Sequence, residues 1–567
     1  MKAILKNDDS WFFFENPIKY YEIYDEKQVS DILKEVSNSK LYVVAAIAYE
    51  AAVIFDDAHE VQKDKTFPFF IIGLFDNPKI YDRLPNDIDS NFQIDNLISS
   101  VSEKEFNEKI NTIKSHISDG DTYQVNFTYR LKGQFYGCSY SFFKSLIKKQ
   151  DTKYAAFIDV NNWSICSASP ELFFSLKEQK VISKPMKGTI KRGINFKDDM
   201  KQSDILRNSE KDKAENIMIV DMIRNDLGKI SKVNSINTIE KFETEAFPTL
   251  WQMTSTIEAK VDNGINEIIK SMFPCASITG APKIKTMEII KNLECSPRNI
   301  YTGSIGLIKP DGSGTFNVAI RTALIDKKNN SLTYGIGSGI VWDSVQQDEY
   351  KETLLKSKII LNQYSKFDLV ETMLWKPDEK ILLKKDHLKR LSNSALFFNR
   401  ELNFDKAEIL LNSISEKKPQ KIRLLLNDKS QLFIEKTSID LSDNNNTLKI
   451  KLSKNCINSS NVFLQHKTTN RSVYEYSKKD LDNYDDVLLW NEKNEITECC
   501  IYNIAIYKKG QWVTPPLKCG LLSGIMRAEL IKQNKIYEEI IYVSDLTSNT
   551  KIMLFNSVRG CKNAVLI

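Results

Sequence analysis

One break in the hydrophobic pattern constrains this chain more than any other feature. Up to about residue 363 strand-like and helix-like runs alternate, ending in the helical stretch DEYKETLLKSKIILNQY; from SKFDLVETMLW onward a pattern begins that repeats none of the first. A single core stops growing well short of 567 residues. The break therefore reads as a boundary near residue 365, with a first domain over 1–365 and a second over 366–567. In the first hundred or so residues, apolar runs such as LYVVAAIAY and FFIIGLF read as strands separated by polar loops. Over 101–119, Val101, Phe106, Ile110, Ile113 and Ile117 fall at helical spacing. The second segment has its own polar break, DLSDNNNTLKI, of the kind that joins subdomains. No internal repeat is visible, so the expectation is α+β or α/β architecture and not a solenoid.

The 79 Lys and Arg against 74 Asp and Glu are interspersed, giving a net +5 without a basic face, so nothing points to a nucleic-acid surface. Nine cysteines are scattered without CxxC or Cys/His ligand spacing. That argues against a disulfide framework or structural zinc and for reduced thiols. At the N-terminus Asp8 and Asp9 stand where a signal peptide needs an apolar core. The most apolar internal run, LYVVAAIAYEAAVIF, is too short to span a bilayer and carries Glu50, so a cytoplasmic protein is expected.

Two residue patterns carry chemistry directly. Lys187, in KPMKGT, lies between Pro185 and Gly188, on a backbone bent by proline and freed by glycine, which suits a loop that approaches a ligand closely. Glu349 and Glu352 are three apart on a predicted helix and share one face, and Glu215 begins another apolar-periodic helix. Converging carboxylates of this kind suit Mg²⁺, which keeps some waters and completes its shell with a substrate oxygen.

Five constellations then occur in order: SASPELFF from Ser167, PMKGT from Pro185, ENIMIVDMIRNDLG from Glu215, SITGAPKIKTMEII from Ser277 and GIGSGIVWDSVQQDEYKET from Gly335. As a set they resemble the chorismate-using enzymes over roughly residues 40–363, the family that holds anthranilate, isochorismate and salicylate synthases and aminodeoxychorismate synthase component I. The resemblance implies a chorismate-binding β-sandwich with helices. It places Thr279, Gly280, Ala281, Arg321 and Gly339 in the substrate pocket, with Tyr301 and Gly303 near it. Gly280 and Ala281 would offer turn amides ahead of the helix KIKTMEII to one carboxylate of the dianion, and Arg321, read on a strand, a guanidinium clamp. Anthranilate synthases of the family carry alanine at the position of Lys187. A lysine there implies attack on C2 of chorismate with loss of the C4 hydroxyl, followed by addition of ammonia at C4. Such an amine must be neutral, and Lys184, Lys191 and Arg192 are its cationic neighbours in sequence. Glu171 would protonate the departing hydroxyl, in an apolar setting provided by Phe173 and Phe174. Gln252, in LWQMTST, stands where many relatives have a histidine, which favours a product that is aminated but not aromatic.

The segment after residue 365 resembles the fold-type IV pyridoxal-phosphate enzymes, through DHLKRLSNSA, HKTTNR, ITECCIYNIAIY, CGLLSGIMR and LFNSVRG. That resemblance implies pyridoxal 5'-phosphate on Lys467, which would form the Schiff base and then shuttle a proton, with Glu498 on the pyridinium nitrogen. Arg390 would hold the phosphate, Ser523, Gly524, Ile525, Asn556 and Ser557 would add polar contacts and turn amides, and Thr372 would assist proton transfer. Two departures stand out: the segment is short for this fold, and Ser523 replaces a common proline. Together the resemblances imply two consecutive steps, amination of chorismate and removal of pyruvate, on the way to 4-aminobenzoate. The only histidines are His59, His116, His387 and His466, and no glutaminase arrangement of cysteine, histidine and glutamate accompanies them. Ammonia is therefore expected from a separate glutamine amidotransferase subunit or from free ammonium. Fold-type IV relatives commonly pair as homodimers through this domain. The rival readings are a transaminase-like second domain and a scaffold with one inactive domain.

Overall fold

The computed structural model describes residues 1–62, 66–85, 91–150, 152–248, 250–361, 367–398, 400–441, 446–479, 481 and 483–567. It divides into two compact units, Met1–Lys191 with Ser203–Gln363, and Arg192–Gln202 with Tyr364–Ile567. The boundary expected near residue 365 and part of DLSDNNNTLKI lie outside the described residues. Arg192–Gln202, assigned by sequence to the first domain, groups with the second unit. Among the described residues no helix is long and apolar enough to cross a membrane, and all nine cysteines are unbridged.

The first unit is built on two ten-stranded sheets whose strand pairs are all antiparallel. The period-two rule explains how they stack. In Tyr42–Ile47, Val44 and Ala46 point into a core shared with Ala3, Leu5, Phe12 and Phe14 of the other sheet, while Val43, Ala45 and Ile47 point outward. The outward set packs against the helices Val29–Asn38, Glu210–Gly228 and Ile265–Met272. On the far side, Ile4 and alternate residues of Gln124–Gly137 pack against Glu103–Ser118, Ser139–Lys149 and Lys283–Leu293. Helix, sheet, sheet, helix is thus the layer order. A strand buried on both faces explains why LYVVAAIAY is a near-continuous apolar run.

The helix expected over 101–119 is Glu103–Ser118, closed by a capping box of Ser102 and Glu105. Phe106, Ile110 and Ile113 are buried on its inner face. The first hundred residues hold more than strands and loops, because Val29, Ile32, Leu33 and Val36 form the apolar stripe of a helix.

The second unit contains a four-stranded antiparallel sheet centred on Leu369–Lys376 and Gln420–Leu426, covered by helices Lys384–Phe397 and Phe404–Asn412. Its larger sheet has eight strands and is mixed: Leu448–Leu452 runs parallel to both Asp486–Trp490 and Gly560–Leu566.

Candidate active site

Lys187 lies within the strand Met186–Lys191 and not in a loop. The register against Leu250–Lys260 slips between Met186 and Thr189, so Lys187 and Gly188 form a bulge that re-aims the lysine. Gly188 has φ +85°, and a Cβ there would stand 2.9 Å from the Asp212 side chain, so only glycine serves. The lysine enters a cavity of about 260 Å³ between the corresponding ends of the two sheets. That cavity also takes Glu171, Gln252, Tyr301, Arg321, Gly339, and the three carboxylates Glu215, Glu349 and Glu352.

Burial lowers the proton affinity of Lys187; Glu215 opposes this and Lys356, on Gln346–Leu361, reinforces it. The cationic neighbour is therefore Lys356 and not those next to it in sequence: Lys184 pairs with Glu245, and Arg192 with Asp199. Glu171 is 2% exposed, and burial pushes its carboxyl up to about 7. Its Oε1 accepts the Ser277 hydroxyl at 2.6 Å and the Met186 amide at 3.4 Å. Phe173 and Phe174 lie in the helix-facing core beside Glu171 in sequence. Glu215 is likewise pushed up to about 7, by burial first, against the pull of Lys187 and Lys211, with Asp212 and Glu349 adding to the rise.

The three carboxylates share the cavity without forming a finished cage. Among the described residues no group of three or more His, Cys, Asp or Glu is set to hold a metal ion. Glu349 takes the hydroxyls of Ser338 and Ser344, Glu352 pairs with Lys356 at 2.6 Å, and Glu215 stands 4.0 Å from Lys211. The donor set fits a hard dication. Glu215, Glu349 and Glu352 would give such an ion oxygen ligands, and its charge would offset that of a dianionic ligand entering beside them.

Two sequence readings change. Arg321 is on a bend before Thr322–Asp326, with φ +52°, and not on a strand; its Nε is buried without a partner. Thr279, Gly280 and Ala281 are not among the lining residues; Gly303, expected near the pocket, is two residues from Tyr301, which lines it. Gly280 and Ala281 instead pair with Val125 and Gln124, and the carbonyls of Thr279 and Ala281 accept the amides of Asn126 and Tyr123. At Gly303 a Cβ would meet the Ile47 carbonyl at 2.1 Å, so the glycine serves close strand packing.

Sequence reasoning missed Ser277, Lys356 and Asn126, which line the cavity, and Gln124, which borders Gly339. Gln124 is fully buried, both its amide atoms lack partners, and its Nε2 lies 3.1 Å from the Cβ position of Gly339. The signal was available: in QVNFTYR the polar residues recur at period two, which places Gln124 and Asn126 on one side of the strand.

The second unit gathers most of the other expected residues. Lys467 follows the short helix Val462–Gln465, and its carbonyl accepts the Val370 amide at 2.9 Å. Burial pulls its amine down to about 8, helped by Arg390 and Arg471 and opposed by Glu371 and Glu498. Glu498 accepts Tyr474 Oη at 2.7 Å, Asn503 Nδ2 at 3.0 Å and the Leu522 amide at 3.1 Å, and burial holds it at about 7. Arg390 donates to both oxygens of Glu371, at 2.8 and 2.7 Å, and to the Ser523 carbonyl at 2.8 Å. Gly524 and Ile525 form the start of helix Ile525–Lys532, and a Cβ on Gly524 would sit 1.8 Å from Asn503 Oδ1. Ser557 Oγ donates to the Thr372 carbonyl at 3.4 Å. Asn556 departs from expectation: its Oδ1 takes the Val558 and Arg559 amides and its Nδ2 donates to the Ile501 carbonyl, so it closes its own turn. A buried amine of lowered proton affinity, a buried carboxylate and an arginine beside a helix N-terminus fit a phosphorylated pyridine aldehyde. Glu371, His387, Tyr474 and Asn503 were not foreseen.

A family model described as chorismate binding enzyme matches residues 6–362. The chain belongs to that family. The match begins well before residue 40, so the N-terminal strands are part of it. A second model, amino-transferase class IV, matches residues 368–566. Aminodeoxychorismate synthase component 1 of Escherichia coli (strain K12) is 36% identical over 270 residues, 47% of this chain and 59% of that protein. Anthranilate synthase component 1 1 of Haloarcula marismortui is 35% identical over 267 residues, 47% of this chain and 54% of that protein. The chain thus spans little more than half the length of these curated relatives. Among solved structures, anthranilate synthase component I from Streptococcus pneumoniae TIGR4 shares the fold, with TM-score 0.54 and 22% identity over 64% of this chain and 92% of that one.

Proposed function

We propose that this chain aminates chorismate at C4 with ammonia and then eliminates pyruvate from the resulting 4-amino-4-deoxychorismate, giving 4-aminobenzoate for folate synthesis. The observation that carries the reading is the buried Lys187 sharing a cavity with Glu171, whose carboxyl burial keeps protonated up to about pH 7. Arg321, with an unpartnered buried Nε, binds one substrate carboxylate. Glu215, Glu349 and Glu352 would hold a magnesium ion, which would balance the charge of the dianion. The neutral amine of Lys187 attacks C2, both conjugated ring double bonds shift, and the C4 hydroxyl leaves as water with the proton of Glu171. Ammonia then adds at C4 and expels Lys187, and a proton returns to Glu171. Gln124, whose unpartnered amide borders Gly339 beside the end of Lys187, would orient that amine.

In the second domain, which we assign to 366–567, pyridoxal phosphate when bound supplies an electron sink for the elimination. Lys467 would carry the proton, Glu498 would keep the pyridine nitrogen protonated, and Arg390 with the Ser523–Ile525 turn would hold the phosphate. Thr372 is the candidate hydroxyl for proton transfer, and Ser557 holds its backbone. Ammonia comes from a separate glutamine amidotransferase subunit. In support, His59 contacts the Ala52 carbonyl, His116 Asp121, His387 Glu371 and His466 Ser394, none of them a cysteine. We place the protein in the cytoplasm, pairing through its second unit.

The test is product analysis with chorismate, Mg²⁺, pyridoxal phosphate and ammonium. 4-Aminobenzoate and pyruvate are expected; anthranilate or salicylate would sink the reading. Lys187→Ala should stop amination and spare the lyase step on supplied 4-amino-4-deoxychorismate, and Lys467→Ala should do the reverse. Exchange of amino donors with keto acids would favour the transaminase alternative.

A further inference from the structure

Ser277 belongs to the short turn Ala276–Ile278 and is 4% exposed. Its hydroxyl has a single hydrogen, and Glu171 Oε1 receives it at 2.6 Å. The Met186 amide points at the same oxygen from 3.4 Å. Behind Ser277, the sulfur of Cys275 lies 3.3 Å from the hydroxyl oxygen. The Met186 amide makes Oε1 an acceptor, so the serine hydrogen goes to Glu171 and the thiol is the donor in the sulfur contact. Burial pushes this thiol up to about 12, so its hydrogen is present throughout the working pH range. Donors therefore run one way, from Cys275 to Ser277 to Glu171. A proton on Oε1 would face the hydrogens of both the hydroxyl and the amide.

The structure assigns to Ser277 the role of a positioning residue that fixes the acid proton of Glu171 on Oε2, the oxygen left free for the cavity. The assignment rests on Glu171 as the general acid of the amination step. Lys187 and Cys275 are the titratable groups that act on Glu171. Arg321, Glu215, Glu352 and Lys356 are among the other charged groups that line the cavity. Ser277 works by orientation: a carboxyl that turns freely presents its proton to the leaving hydroxyl only part of the time. The hydrogen bond also favours the ionised carboxylate, so its loss has a sign that can be read.

The experiment measures amination by the full-length protein as a function of pH in Ser277→Ala and Ser277→Thr, with lyase activity on supplied 4-amino-4-deoxychorismate as the control for folding. Ser277→Ala should lower the amination kcat about tenfold and move the alkaline limb of the profile upward by about half a unit to one unit, as expected when one hydrogen bond to a carboxylate is lost. Ser277→Thr, which keeps a hydroxyl, should restore both within about twofold. A wild-type rate and limb in Ser277→Ala would overturn the assignment. So would a rate loss common to both variants with no movement of the limb, which is the mark of a packing role. Failure of the unmodified protein to aminate chorismate would instead strike the proposed function itself.

Discussion

Gly339 offers a sharp test of whether the end of Lys187 is where the chemistry happens. The residue lies on Ser331–Ile340 opposite Asn126, with a backbone conformation that alanine adopts without strain. A Cβ added there would stand 2.7 Å from Lys187 Nζ and 3.1 Å from Gln124 Nε2, against an ordinary limit near 3.4 Å. The flexible end of the lysine yields first, so Gly339→Ala folds at a cost of about 1 kcal/mol, the low end for an added methyl. To make room, Nζ must move by about 0.7 Å. Misplacing a reacting group by about 1 Å costs on the order of a hundredfold in rate. The expected loss in the amination kcat is therefore roughly ten- to a hundredfold, with the chorismate KM changed much less and lyase activity unchanged. Steady-state amination at saturating ammonium, paired with thermal unfolding, checks both halves. An amination kcat within twofold of the unmodified protein would refute the placement of Nζ at the reaction centre.

Two further outcomes follow from the buried carboxylates. Because Glu171 must act in its acid form and burial raises its pKa from 4.5 to about 7, amination should decline above about pH 7, and Glu171→Gln should abolish that limb while lowering the rate about 10²- to 10⁴-fold. Burial alone would raise Glu371, but the charge of Arg390 and the hydrogen bonds from His387 and Arg390 outweigh it and pull the group down to about 2. A depressed folded pKa contributes stability that is full above the unfolded value near 4.5 and is lost as pH falls toward 2. The shift corresponds to about 3 kcal/mol, so Glu371→Gln should lower urea stability by that order, remove this pH dependence and weaken pyridoxal-phosphate uptake; unchanged cofactor titration and unfolding curves would count against it.

The parts of the fold legible in the sequence were those with one periodicity and one burial rule. Glu103–Ser118 carries its own cap and stripe, and Tyr42–Ile47 declares by its unbroken apolar run that both its faces are covered. Gln124–Gly137 is harder. Its polar half, Gln124, Asn126, Thr128 and Arg130, reads as a solvent face, yet all four are buried. Arg130 is satisfied by Thr128, Glu294 and the Pro297 carbonyl, and Glu294 in turn by Arg298 at 2.6 Å. Partners more than 160 residues away along the chain cannot be inferred from a period of two.

The SITGAP turn shows how such pairing alters the meaning of a motif. As an isolated sequence, glycine and alanine ahead of a helix read as amides waiting for an anion. In the fold, Pro282 caps that helix without donating an amide, and Gly280 is needed because a Cβ would lie 2.0 Å from the Gln124 carbonyl. Glycine here permits two backbones to close on each other. The consequence reaches the chemistry by another route: the strand clamped by Gly280 carries Gln124, whose unpaired amide borders Gly339 and the end of Lys187. The motif thus bears on amination by setting the position of Gln124, and a substitution at Gly280 should disturb that residue before it disturbs the binding of a substrate carboxylate.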